Sequence, residues 1–255
     1  MSEFMDKVVL VTGAGRGLGR AIAEAFAAQG AIVAVNDLTP INLDKTVAGI
    51  NASGGRVKAY LADIAKRLPV EGLIHEIAAD WGRLDVVVNN AGVRPRASIL
   101  EMDEWDWCRT IEVNLNGPFF ITQAAGRVMR AQGGGVIINI GNAGDALPGK
   151  QAAYLASKAG LANLTCSAAR ELAVDNIRVN AVCPGLLETE STAEIFPEAT
   201  TGSRLAASMP QGRLGRTQDV TGLVLFLCSQ AAAYINGQVI MVDGGGSFLL
   251  RPDRS

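Results

Sequence analysis

Val8-Val9-Leu10-Val11 runs without a polar residue into Thr12-Gly13-Ala14-Gly15-Arg16-Gly17-Leu18-Gly19, and a helical repeat begins inside that turn. A short apolar run rich in β-branched residues is the pattern of a strand buried on both faces, as in a parallel sheet. The glycines let the backbone turn tightly and bring N–H groups close to a ligand. At a helix N-terminus the dipole makes that ligand an anion such as a pyrophosphate. The spacing is Gly13-x-x-x-Gly17-x-Gly19, with Leu18 where the more familiar G-x-G-x-x-G would need glycine. An ordinary glycine turn is the alternative, and the flanking strand and helix argue against it.

The same alternation fills the chain. Leu18, Ile22 and Phe26 repeat at helical spacing until Gly30, and Ala31-Ile32-Val33-Ala34-Val35 supplies a second buried strand. Further strands are expected at residues 56–61, 85–88, 136–140, 177–182 and 238–242, with helices around 70–81, 111–129 and 152–172. Strands separated by helices predict an α/β fold: a Rossmann-type, doubly wound parallel sheet of about seven strands with helices on both faces. No repeat, linker or composition shift divides the 255 residues, so 1–255 is read as one nucleotide-binding domain. Residues 188–216 form the least regular stretch. They follow a strand C-terminus, where such folds place ligands, and are the candidate substrate lid.

Composition narrows the partners. Basic residues number 23 and acidic ones 25, with no long run of either sign, so neither nucleic acid nor an anionic membrane is expected. Cys108, Cys166, Cys183 and Cys228 are far apart, and His75, the only histidine, falls on a predicted helix away from the motifs, which argues against a Ser-His-Asp hydrolase and predicts no metal site. The apolar run Val220 to Leu227 is too short to cross a bilayer and reads as a core helix. The residues before Val8 lack the features of a signal peptide, and Met5 would equally serve as a start, so a cytoplasmic protein is expected.

Two features carry chemistry. Asn36-Asp37 ends the second strand, where a carboxylate can accept both hydroxyls of an adenosine ribose and repel a 2′-phosphate. Asp37 therefore predicts NAD over NADP, although it could instead cap the turn at Thr39-Pro40, and Arg16 in the glycine loop would favour a 2′-phosphate. Tyr154-Leu-Ala-Ser-Lys158 places a phenol and an ammonium one helical turn apart. A tyrosine loses its proton at about pH 10, so acid–base work near neutrality needs a nearby cation such as Lys158 or an oxidised nicotinamide. In isolation such a pair is more often a surface cation beside a half-buried ring.

The glycine spacing, Asn89-Asn90-Ala91-Gly92, the Tyr154/Lys158 pair and Pro184-Gly185 together resemble the short-chain dehydrogenase/reductase family, over nearly the whole chain. The resemblance implies that Gly13, Arg16, Gly17, Leu18 and Gly19 hold the pyrophosphate side of NAD(P). It places Asp63-Ile64 at adenine and Asn90, Ala91 and Gly92 at the adjoining ribose and sheet brace. Pro184, Gly185, Leu187 and Thr189 would lie at the nicotinamide, and Asn114 would hold the water of a proton relay on the Lys158 side. The family's usual serine after the fifth strand is absent. Counting from the strand puts Asn142 in its place, whereas counting back from Tyr154 puts Gly141 there. Strand register is the stiffer guide and favours Asn142, whose amide can also donate to a substrate oxygen. A homotetramer or homodimer is implied, built through the Asn114 and Tyr154 helices and the segment around Val239 to Gly245.

The expectation is reversible oxidation of a small secondary alcohol to a ketone, with Tyr154 exchanging the proton. An NADPH-dependent 3-oxoacyl reductase is the alternative within the fold, suggested by Arg16, Arg213 and Arg216. A non-catalytic NAD-binding protein is the alternative outside it. Arg94 and Arg96, either side of Pro95, could contact an acidic substrate, though loop arginines are more commonly solvated. Trp105 and Trp107 are read as packing residues against the core or a neighbouring subunit.

Overall fold

Alternate residues of β1 (Val8–Thr12) belong to different apolar layers. Val8 and Leu10 pack with Ile32, Val87, Ile137, Ile77, Ile121 and Met129, whereas Val9 and Val11 pack with Ile22, Phe26, Val33, Ile138, Val220 and Val224. A sheet whose central strand is apolar on both sides must be covered on both sides, and that accounts for the uninterrupted hydrophobic run. This computed structural model describes residues 2–143, 150–195, 204–207 and 209–248.

The remaining strands are β2 (Ile32–Asp37), β3 (Arg56–Leu61), β4 (Val86–Asn89), β5 (Gly135–Ile140), β6 (Ile177–Pro184) and β7 (Val239–Val242). They form one sheet of seven strands in the order β3-β2-β1-β4-β5-β6-β7, every pairing parallel. Helices α1 (Gly17–Ala28) and α2 (Pro40–Ala52) contribute to one face. Helix α3 (Arg67–Trp81) contributes to the other. The doubly wound parallel sheet read from the sequence is therefore the observed one, with strand ends shifted by one or two residues.

Helix α2 was not expected. It buries only Leu43, Thr46 and Ile50, too weak a stripe to read, and its start, Thr39-Pro40, resembles a turn. Proline at the first helical position costs no hydrogen bond, so the same dipeptide opens a helix. The single helix expected over 111–129 is three pieces: α4 (Glu104–Ile111), a π-helical turn over Glu112–Asn116, and α5 (Gly117–Ala131). Then come α6 (Ala152–Leu172), α7 (Glu190–Ile195), α8 (Arg204–Ala207) and α9 (Thr217–Cys228). The long α6 matches its expected bounds, and α9 buries Val220, Val224 and Leu227 as a core helix should. Of the candidate lid, residues 196–203 and 208 lie outside the described residues, as does Gly144 after Asn142.

Phe4 packs edge-on against Phe26, with ring centres 5.2 Å apart, so the segment before β1 belongs to the core. Cys183 and Cys228 are buried, Cys108 and Cys166 are exposed, and all four are unpaired. Trp105 and Trp107 are exposed, so within this chain they are not the core residues considered above. Among the described residues no helix is long and apolar enough to cross a membrane.

Candidate active site

The strand order changes direction at β1, which has β2 on one side and β4 on the other. Chains leaving β1 and β4 diverge to opposite faces, and open α/β sheets bind ligands in the crevice so formed. A cavity of about 620 Å³ lies there, lined by residues following β1 to β6. That volume lies within the range of small-molecule sites.

Its nucleotide end is built by backbone. Gly13 and Gly17 have φ of +61° and +57°, a left-handed conformation that other residues adopt at a cost. A side chain at Gly13 would reach to 2.7 Å from Ala91 Cα, and one at Gly19 would run into the Gly13 carbonyl. Helix α1 starts at Gly17 with no side chain capping its first N–H groups, and Gly17, Leu18 and Gly19 line the cavity. Exposed first-turn N–H groups at the positive end of a helix suit a pyrophosphate, so the residues present fit a dinucleotide. Thr12 Oγ1 accepts from Asn90 and Ala91 N at 3.0 and 3.1 Å, and Asn90 Nδ2 donates to Thr12 and Gly13 carbonyls. Asn90 thus ties the β4 loop to the glycine turn.

Asp37 lines the same cavity. One carboxylate oxygen accepts from Gly15 N at 3.0 Å, and the other from Leu38 and Thr39 N at 2.7 and 3.1 Å. It does cap the turn, as considered above, while still facing the cavity. Arg16 pairs with Glu194 of α7 at 2.5 Å, linking the glycine turn to the candidate lid. Asp63 pairs with Arg109 of α4 at 3.1 Å. Ile64, Pro184, Gly185, Leu187 and Thr189 complete that wall, and Thr189 Oγ1 accepts from Thr192 N at 3.2 Å.

Tyr154 lies on the first turn of α6 and lines the same cavity, as do Gly141, Asn142 and Arg94. Lys158 is buried one turn further on, its Nζ 5.8 Å from the Tyr154 ring centre. That ammonium donates to the Ile140 carbonyl at 2.7 Å. Burial pulls the Lys158 pKa down to about 8, opposed by the neighbouring Cys183 sulfur. Burial likewise pushes the Cys183 thiol above its usual range, against the backbone N–H of Asn142 and the charge of Lys158.

Asn114 sits in the π turn and does not reach the cavity wall. Its Oδ1 accepts from Val93 N at 2.8 Å, and its Nδ2 donates to Val93 O and Ser157 Oγ at 2.9 and 3.1 Å. Its side chain is occupied in fixing the β4 loop against α6, so a water near Lys158 would have to be held by backbone. π turns inside helices recur at functional sites. Asn142 Nδ2 is buried and finds no acceptor among the described residues. Buried polar groups are nearly always paired, and Asn89 Oδ1 and Thr122 Oγ1 are unpaired in the same way, but of the three residues only Asn142 lines the cavity.

The cavity wall includes every residue expected at the cofactor except Lys158, which, like the expected catalytic residue Asn114, is not among the lining residues. Sequence reasoning missed Gln151, the buried residue before α6 whose Oε1 accepts from Arg94 Nε at 2.6 Å. Arg94 Cζ lies 4.7 Å from the centre of the Tyr154 ring. Arg109 and Thr192 were also unforeseen. Only the position of Arg94 directly after Asn89-Asn90-Ala91-Gly92-Val93 hinted at any of this.

A family model described as enoyl-(acyl carrier protein) reductase matches residues 13–247. A 3-oxoacyl-[acyl-carrier-protein] reductase, FabG, of Thermotoga maritima is 40% identical over 246 residues, covering 94% of this chain and 97% of that protein. Among solved structures, a candidate short-chain alcohol dehydrogenase from Sinorhizobium meliloti superposes with a TM-score of 0.90 at 39% identity, covering 96% of this chain and 98% of the other. A candidate NAD(P)-dependent gluconate 5-dehydrogenase from Beutenbergia cavernae, with NADP bound at low occupancy, gives 0.89 at 35% identity, covering 96% and 98%. With the glycine cradle and the Tyr154/Lys158 pair in one crevice, the chain belongs to the short-chain dehydrogenase/reductase family, as an NAD(P)-dependent oxidoreductase.

Proposed function

We propose that this protein interconverts a secondary alcohol and its ketone with NAD(H), using Tyr154 as the acid–base group. The carrying observation is that Tyr154, with the buried Lys158 ammonium 5.8 Å from its ring centre, lines the same cavity as the glycine cradle. A bound nicotinamide supplies the acceptor for the alcohol C–H as hydride, or the donor in reverse. Tyr154 takes the O–H proton from the alcohol, and the Lys158 charge holds the phenol in the range where it can do so. Asn142 donates to the substrate oxygen. Asn142→Ala is expected to lower kcat about a hundredfold, the usual cost of one such donor. Asn142→Ser should retain most of it in the same steady-state assay, and full activity of the alanine variant would remove Asn142 from the reaction.

Asp37 supports NAD over NADP because a 2′-phosphate would meet a carboxylate at the cavity wall. Arg16, the cation that would offset this, is paired with Glu194. Asp37→Ala should raise the NADP/NAD ratio of kcat/KM about a hundredfold, a like-charge contact costing several kcal/mol. A wild-type preference for NADP would overturn the assignment.

The 3-oxoacyl reductase reading is favoured by the name of the Thermotoga maritima relative. It uses the same ketone chemistry with NADPH and a carrier-bound substrate. Of the cations that suggested it, Arg213 pairs with Asp219 at 2.7 Å and Arg16 with Glu194. Turnover of a panel of secondary alcohols, ketones and one 3-oxoacyl thioester, each with both cofactors, tests the two readings together. Of the candidate lid, the described segment that carries Glu194 is joined to the glycine turn through that Arg16–Glu194 contact, which supports reading it as a cover for the substrate. Exposed Phe119 and Leu155 on α5 and α6, and Met241 on β7, support assembly into a dimer or tetramer through those faces.

A further inference from the structure

We infer that Arg109 is a positioning residue that makes the nucleotide end of this site selective for adenine over a base with a carbonyl in place of the exocyclic amine. It does so by fixing the Asp63 carboxylate that receives that amine. The inference rests on reading Asp63 as the partner of the base and adds what sets that partner's geometry.

Asp63, two residues after β3, and Arg109, in the last turn of α4, both line the cavity. The two Nη groups of Arg109 reach separate carboxylate oxygens, Nη1 to Oδ2 at 3.1 Å and Nη2 to Oδ1 at 3.4 Å. Oδ1 also accepts from Ala65 N at 3.0 Å. On its other side Arg109 Nη1 lies 4.0 Å from Glu112 Oε2, and that oxygen is paired with Lys66 Nζ at 3.1 Å. Lys66, Glu112, Arg109 and Asp63 thus alternate in sign. Glu112 has its own cation, which leaves the arginine fork to Asp63.

A carboxylate has about four lone-pair sites, two on each oxygen. Arg109 and Ala65 fill both on Oδ1, and Arg109 fills one on Oδ2. The acceptor left on Oδ2 bonds an amine N–H and repels a carbonyl oxygen. A guanidinium fork is planar and always charged, so it fixes the plane of the carboxylate that it holds, and with it the direction of that remaining lone pair. As a mere tie between α4 and the segment after β3, a half-exposed ion pair would contribute little to stability and would treat all bases alike.

The probes are ADP and IDP, which carry the pyrophosphate and either base but no nicotinamide. Their dissociation constants are measured by calorimetry on wild type, Arg109→Gln, Arg109→Lys and Asp63→Asn. The wild type is expected to bind ADP about tenfold more tightly than IDP, as for one hydrogen bond to a charged group. Arg109→Gln should bring the two within about twofold of each other, with an unfolding temperature near that of the wild type. Arg109→Lys should recover part of the selectivity, since a point charge attracts the carboxylate without setting its plane. In turnover with NAD, the loss in Arg109→Gln should fall on KM for the cofactor rather than on kcat. Selectivity lost in both Arg109→Gln and Asp63→Asn supports the inference. Selectivity lost in Asp63→Asn but kept in Arg109→Gln, or equal weakening of ADP and IDP in Arg109→Gln, overturns the role of Arg109 and leaves the reading of Asp63 standing. Selectivity kept in Asp63→Asn, or equal binding of the two probes by the wild type, overturns the reading of Asp63 and the inference with it.

Discussion

Replacing Tyr154 by phenylalanine is expected to lower kcat by about a thousandfold or more while leaving the unfolding temperature and cofactor affinity near those of the wild type. The ring stays, so its packing against Arg94 stays. Only the proton-exchanging oxygen is lost, and positioned acid–base groups contribute about a hundred to ten thousandfold. Gly141 and Asn142, which line the cavity with Tyr154, carry no side-chain group that exchanges a proton near neutrality. A variant retaining more than a tenth of wild-type kcat would show that the proton leaves by another route.

Lys158→Met should abolish turnover to a similar extent and yet make the protein more stable at neutral pH. The Lys158 pKa is about 8 in the folded chain against 10.5 for the free side chain. At about 1.4 kcal/mol per unit, the buried charge costs the fold about 3 kcal/mol below pH 8. Between pH 8 and 10.5 the unfolded chain binds more protons than the folded one, so wild-type stability rises with pH across that window. Methionine removes the cost, but leaves the Ile140 carbonyl without its donor, a loss of about 1 to 3 kcal/mol. The net gain at pH 7 is therefore about 1 kcal/mol, shrinking to nothing or reversing by pH 10.5. Urea unfolding of both proteins at pH 7 and pH 10 measures it, and a stability difference independent of pH would contradict a buried charged lysine. A residue that costs stability where it serves chemistry is the common trade between the two.

The sheet was legible because β1, β2, β4 and β5 are buried on both faces, which fills their runs with apolar residues apart from Asn139 in β5, paired with Asn89 and Thr165, and polar residues at the strand ends. Helix α2 was not, because three buried side chains in thirteen residues make no readable stripe. The interruption at Asn114 was hidden for a different reason: a π turn adds a residue to the helix without changing which residue types fill it. The cofactor cradle could be read from glycine spacing, since each glycine answers a local constraint of backbone angle or close approach. The partners of its carboxylates could not. Arg109 meets Asp63 across 46 residues and Arg94 meets Gln151 across 57, and nothing in either local sequence marks the other. The two ways of counting to the position of the missing serine lead to Gly141 and Asn142, and both line the cavity with Tyr154.

The most direct measurement of the central claim is a single turnover of a secondary alcohol by enzyme saturated with NAD, following reduced nicotinamide in wild type and Tyr154→Phe across pH. The account predicts a fast burst in the wild type that slows as pH falls and the phenol takes up its proton, and a burst slowed about a thousandfold in the variant with no such pH dependence. Equal burst rates in the two proteins, or the same pH dependence in both, would contradict it.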